Sequence, residues 1–199
     1  MNQDAPHKMP YHHGDLRAAL LSVAETELLE KGVEAFSLRS VAKRAGVSHA
    51  APAHHFGDAT GLLTALAALG FEDFLATQHA YERQAKNTPR DQLIAAGLGY
   101  IGFARARPAL FKLMFGSERT DYRKPALKLA AEAAIAHLTA QVKLVGSNEA
   151  QDVAAVWATA HGLADLIIAG RISVIRDFSE AALQETLTNI LSRSLPPPA

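Results

Sequence analysis

The chain has 199 residues, with 20 basic and 20 acidic side chains, 49% hydrophobic residues and no cysteine. That is enough for a small domain joined to a larger one, and the missing cysteines exclude disulfides, thiolate metal sites and cysteine nucleophiles. A net charge of zero gives no overall attraction to nucleic acid, so any such function rests on where the charges lie.

In chain order, the opening MNQDAPHKMP has no apolar core, which predicts no signal peptide. No run of ~18 uncharged apolar residues occurs anywhere, since the most apolar late segment, Val153 to Ile172, is broken by His161, Asp165 and Arg171. A cytoplasmic protein with no membrane partner is expected. Alanine and leucine at helical spacing dominate and alternating β-branched runs are missing, which predicts an all-α fold of about nine helices. The first helix is expected from Asp15 to Lys31, capped by Gly14 or Asp15, with Leu16, Leu20, Val23, Ala24 and Leu28 on one face and Gly32 at the left-handed exit. Ser37 is the natural N-cap of LRSVAKRAG, whose Leu38, Val41, Ala42 and Ala45 form a short apolar face before Gly46 stops the helix. Ser48 is predicted to cap a third helix, HAAPAHHF. These three make a domain over 10–58. A larger domain over 59–195 holds helices near 59–84, 89–106, 108–116, 122–145, 149–172 and 179–194, and the ends, 1–9 and 196–199, are expected to be flexible tails.

The informative segment is 37–56, SLRSVAKRAGVSHAAPAHHF, a helix, a tight turn and a second helix. It carries Arg39, Lys43 and Arg44 and no acid, and six of the nine histidines lie before residue 60. In a helix-turn-helix the first helix braces and the second enters the major groove, while serine hydroxyls and helix N-terminal amides suit phosphate. With Ser48 as cap, Pro52 stands at the fourth helical position, where an interior proline costs ~3 kcal/mol. The alternative is a helix that starts later and takes Pro52 in its first turn.

The capped helix ending in Ala45-Gly46-Val47-Ser48, followed by a helix closing on His54-His55-Phe56, resembles the signature of TetR-family transcriptional regulators. The likeness extends over about residues 13–70, through Lys31-Gly32, Phe36 and Leu62-Leu63. RPALFKLMFGSE at 107–118 and WATAHGLADL at 157–166 further resemble the C-terminal domain of a subgroup named for its Trp-His-Gly residues. The resemblance implies a homodimeric, ligand-responsive repressor that binds a palindromic double-stranded operator and is released by a small molecule. It implies phosphate contacts from Ser37 and Ser48, base or backbone contacts from Arg39, His49, Ala50, Ala51 and His54, and a backbone contact from the arm Tyr11-His12-His13. It also places the dimer interface on the last two long helices, with Ala154, Ala158, Leu166 and Ile167 on one and Leu183, Leu187 and Ile190 on the other. Two departures stand out: Ala53 occupies the usual tyrosine position, and Asp58-Ala59-Thr60 lacks the lysine often found after the closing Phe. Weaker, or histidine-dependent, DNA binding is the expected consequence.

For the sensor, Tyr100, Phe103, Phe111, Met114 and Phe115 cluster around the break at Arg105 to Pro108, and Trp157 and His161, four apart, share a helical face. These seven are the candidate ligand pocket. Gly97, Gly99 and Gly102 on one helix signal either close packing or space left for a ligand. Adjacent histidines on a helix point ~100° apart, so His54-His55 and His12-His13 are not read as metal sites, and neither metal nor cofactor is expected. His161 and Asp165 are the one acid/base pair at helical spacing, but no nucleophile-base set or cofactor loop accompanies them, so no enzyme is expected. A non-sensing DNA binder or a protein-protein adaptor is the other alternative.

Overall fold

A computed structural model describes residues 16–196; the arm at 11–13, the caps Gly14 and Asp15 and most of the two tails lie outside the described residues. Among the described residues the fold is all-α, with nine α-helices: α1 Leu16–Lys31, α2 Leu38–Ala45, α3 Ala50–Phe56, α4 Ala59–Glu82, α5 Pro89–Ala106, α6 Pro108–Gly116, α7 Pro125–Leu144, α8 Ala150–Ile168 and α9 Glu180–Arg193. A short 3-10 turn, Ser173–Ile175, joins the last two.

Boundaries follow local chemistry where it is strong. Helices α5 and α6 occupy the expected spans, and α7 starts at Pro125 rather than 122 because proline at the first helical position has its φ preset. Helix α8 ends four residues earlier than expected. Gly170 takes φ 64°, and the Arg171 and Gly170 amides bond back to the Leu166 and Ile167 carbonyls.

Helix α4 is the central element. Its apolar composition and length would suit a membrane crossing. Here Leu62, Leu63, Leu66, Phe71 and Phe74 are instead buried against α1, α5, α6 and α7. One core runs from Leu20, Leu21, Ala24 and Leu28 of α1, through α4, to Phe103, Phe111 and Met114, and on to Leu183, Leu187 and Leu191 of α9. The N-terminal helices therefore share their core with the larger bundle.

Helices α4 and α5 cross closely. A Cβ on Gly99 would lie 2.8 Å from the Gln78 Cα, one on Gly102 2.7 Å from the Tyr81 hydroxyl, and one on Gly97 3.0 Å from Leu191. Close packing accounts for Gly99 and Gly102, whereas Gly97 packs on Leu191 and also lines a cavity in the bundle.

Two arginines tie the bundle to the N-terminal helices. Arg107, between α5 and α6, donates from Nε and Nη2 to both oxygens of Glu25 on α1, and from Nη1 to Asp73 on α4. Arg119 donates to the Val33 carbonyl in the turn after α1.

Candidate functional site

The helix-turn-helix is built by three local devices. The Ser37 hydroxyl accepts the Ser40 amide at 3.2 Å and starts α2. Gly46 adopts φ 67°, and the Val47 and Gly46 amides close onto the Ala42 and Lys43 carbonyls, which ends α2 and turns the chain. Val41 and Ala42 are buried, while Val47 and Phe56 pack against the core from either side of α3. Asp58 then caps α4 by accepting the Gly61 amide at 2.7 Å. The Arg17 guanidinium sits 5.3 Å from the Phe56 ring centre.

Helix α3 begins at Ala50, after His49, and no side chain caps it. The expected Ser48 cap is thus replaced by a later start, and Pro52 falls at the third helical position. The first four amides of a helix have no intrahelical partner, so the missing N–H there breaks no bond, and the ring is buried. Solvent meets Ser37, Arg39, Lys43, Ser48, His49, Ala50, Ala53, His54 and His55; Ala51 is half-buried. Arg39 and Lys43 make no ion pair among the described residues, whereas Arg44 is held by Glu27 and Glu30 of α1. The exposed face of α2 and α3 therefore offers two uncommitted cations and a row of imidazoles. Arg44 serves the fold. Beside Lys31 and Arg44, the buried Glu27 carboxyl is held down at about 2.

Some distance along α4 the bundle holds a partly open cavity of about 180 Å³. Its walls come from Phe71, Phe74 and Gln78 of α4, Tyr100 of α5, Phe115 of α6, Ala131, Ala134 and Gln141 of α7, and Trp157 of α8. Phe74 meets Tyr100 edge-on at 4.7 Å between ring centres, and Phe115 stacks on Tyr100 at 5.9 Å. The Trp157 indole N–H donates to the Tyr100 hydroxyl at 3.4 Å, which leaves the hydroxyl hydrogen for His161 Nδ1 at 2.7 Å. Burial pushes the Tyr100 phenol well above its usual range, so the group stays a donor.

Two family profiles match this chain. "Bacterial regulatory proteins, tetR family" covers residues 20–66, and "Tetracyclin repressor-like, C-terminal domain" covers 93–190. The chain belongs to the TetR family. It is a DNA-binding, helix-turn-helix transcriptional regulator, a class whose members are generally not enzymes. Among solved structures, a protein of unknown function from Rhodococcus sp. RHA1 is 31% identical with a TM-score of 0.77, matching 96% of this chain and 100% of that one. A TetR-like transcriptional regulator from the same organism shares the fold at TM-score 0.65 and 18% identity, with 94% and 97% covered. Among curated relatives, the HTH-type transcriptional regulator BetI of Paraburkholderia phytofirmans is 28% identical over 78% of this chain and 94% of its own length. The HTH-type transcriptional regulator Rv1816 of Mycobacterium tuberculosis is 26% identical over 55% of this chain, and the matched part spans only 47% of that protein.

Within this TetR fold the seven residues expected around the pocket separate. Tyr100, Phe115 and Trp157 line the cavity. Phe103, Phe111 and Met114 do not: they are buried in the core behind it, where α4, α5 and α6 meet. His161 stands behind Tyr100 as its hydrogen-bond partner, not bonded to Asp165 as an acid/base pair. The residues that sequence reasoning missed are Phe71, Phe74 and Gln78, read only as part of a long helix, and the α7 wall. Alanines and glutamines give no pocket signal from a single sequence. Of the expected dimer residues, Ala154, Ala158 and Leu166 lie on the solvent face of α8, and Ile167 and Ile190 are half-buried. Leu183 and Leu187 require correction. They are buried inside the chain, because the apolar face of α9 is used up in packing against α5.

Proposed function

We propose that this chain is a ligand-responsive repressor that binds a palindromic operator as a homodimer and is released by a small, largely apolar molecule. The observation that carries the reading is the dual use of α4. Its first turns pack on α1 and α3 of the helix-turn-helix, and its later turns supply Phe71, Phe74 and Gln78 to the cavity wall. A ligand that moves that wall moves the base of the DNA-reading unit, and two such units on a two-fold axis read half-sites one helical turn apart.

In this reading the functional division falls near residue 58. Ser37 and Ser48 contact phosphates; Arg39, His49, Ala50, Ala51 and His54 contact bases or backbone; and exposed Lys43 joins them. The dimer forms through the solvent face of α8, where Ala154, Ala158, Gly162 and Leu166 fall four residues apart, with exposed Val174 and Phe178 at its end. The Trp157 and His161 that carry the subgroup resemblance meet at Tyr100, one of the polar groups in the cavity wall. A chamber of 180 Å³ with aromatic walls matches a single-ring ligand, since an apolar cavity of ~150 Å³ accommodates benzene.

The test is a panel of single-ring molecules with one polar substituent, screened for thermal stabilisation and then for displacement of the protein from the DNA flanking its own gene. Allosteric coupling of ~1–3 kcal/mol predicts that a bound effector weakens operator affinity ~5- to 150-fold. No preference for that DNA over random duplex at physiological salt would overturn the repressor reading. Ligands that stabilise the protein yet leave operator affinity unchanged would overturn its ligand response.

A further inference from the structure

We propose that His79, Glu82 and His137 form a binding site for a first-row divalent metal ion of the zinc class, clamping the end of α4 to α7. The donor atoms of these three residues lie within 4.8 Å of one another. His79 Nδ1 is 2.8 Å from one Glu82 oxygen and His137 Nε2 is 2.7 Å from the other, and the two imidazoles meet edge-on at 4.5 Å between ring centres. Two nitrogens thus converge on one carboxylate from two helices. Drawing them around a central ion at ~2.0–2.1 Å bond lengths needs only side-chain adjustment.

The company Glu82 keeps distinguishes it from a structural carboxylate. Two carboxylates are buried among the described residues. Glu27 is paired with a lysine and an arginine. Glu82, 8% exposed, has only the two imidazoles as ion-pair partners, so a neutral pair of rings leaves its charge uncompensated. A dication supplies the missing charge. Gln141, one turn beyond His137, donates its Nε2 to Glu82 at 3.1 Å, and its Oε1 is buried with no donor facing it. Access is open on one side, because His79 is 44% exposed and borders a surface depression with Arg83, Asn87 and Gln92, whereas His137 is only 13% exposed. Two imidazoles and a carboxylate, with no sulfur, form a donor set for zinc, nickel or cobalt rather than for calcium or magnesium.

The site also touches the cavity. Gln141 lines it, and Gln78, one turn before Glu82, lines it from α4. An ion held here fixes two of its walls relative to each other.

The test uses the full chain, stripped with a chelator and titrated with cobalt(II), whose visible absorption reports a low-coordinate nitrogen and oxygen site, then with zinc in competition. One ion per chain is expected, with the absorption lost and affinity reduced by ~100-fold or more in both His137→Gln and His79→Gln. His79→Gln, at a partly exposed position, keeps the test valid if the more buried substitution fails to fold. Absence of saturable binding overturns the proposal. So does binding that survives unchanged in both variants, since the ion then sits on other histidines of the chain.

Discussion

Arg107 is the place to test how the bundle holds its DNA-reading unit. Its guanidinium is 26% exposed, grips Glu25 with two bonds of 2.6 Å and reaches Asp73 at 2.5 Å. Exposed single ion pairs are worth ~0.2–1 kcal/mol, and charge-assisted hydrogen bonds out of water ~1.5–3 kcal/mol. A bidentate pair in this intermediate setting should couple Arg107 to Glu25 by about 1–2 kcal/mol. The perturbation is a double-mutant cycle of Arg107→Met, Glu25→Gln and the pair, followed by thermal and urea unfolding. For a chain of this size ~1 kcal/mol moves the midpoint by ~2–4 °C, so the interaction should appear as about 2–8 °C. Raising salt from ~0.1 to ~1 M shortens the screening length from ~10 to ~3 Å, and the coupling should shrink with it. Hydrogen exchange in α1 should quicken in Arg107→Met while α9 stays protected. A coupling energy below ~0.3 kcal/mol, or one indifferent to salt, would refute the view that this pair locks the N-terminal helices to the bundle.

Gly61→Ala should destabilise the protein by about 3 kcal/mol in denaturant titration, because the new Cβ would lie 1.9 Å from the Phe56 carbonyl oxygen and backbone cannot yield as a side chain does. A Cβ on Gly162 meets nothing within 4 Å in the chain, so Gly162→Glu should fold normally by circular dichroism. In sedimentation it should weaken self-association about tenfold or more, by forcing a charge into the α8 face; an unchanged dimer would place the interface elsewhere. Glu27 carries the pH dependence. Its carboxyl falls from 4.5 to about 2 on folding, through its bond to Lys31 first and then Arg44, so its contribution is complete above ~4.5 and disappears as pH drops toward 2. The stability gap between the native protein and Glu27→Gln should therefore be constant at neutral pH and close across that acidic window. A gap that widens on acidification would contradict the assignment.

Much of the helix-turn-helix was legible because its signals are local. A serine cap and a left-handed glycine act within four or five residues, and the Ser37 cap and Gly46 turn form as their chemistry dictates. Pro52 shows the limit of such reasoning. Ser48 is a good cap by type, yet the helix begins two residues later, where a buried proline ring and a satisfied backbone coexist. In the bundle the same aromatic and methionine signal marks both core and pocket. Tyr100 and Phe103 are three residues apart on α5, and only the neighbouring helices decide that one faces a cavity and the other solid core. Leu183 and Leu187 are apolar whether they face α5 or a second copy of the chain.

The histidines make the same distinction. His161 shares a helical face with Trp157 in the sequence, but only the fold brings it to Tyr100, and only the fold brings His79 and His137 together on Glu82. The spacing of His79 and Glu82 on one helical face was visible in the sequence. Their meeting with His137, 55 residues beyond Glu82, was not. By itself the sequence determined the helices, the Ser37 cap and the Gly46 turn that makes a DNA-reading unit, because those depend on backbone geometry and near neighbours. The tertiary structure alone decided which apolar faces were consumed in the core, where space was left, and which distant side chains converged, because burial and contact arise only when separate helices share one volume.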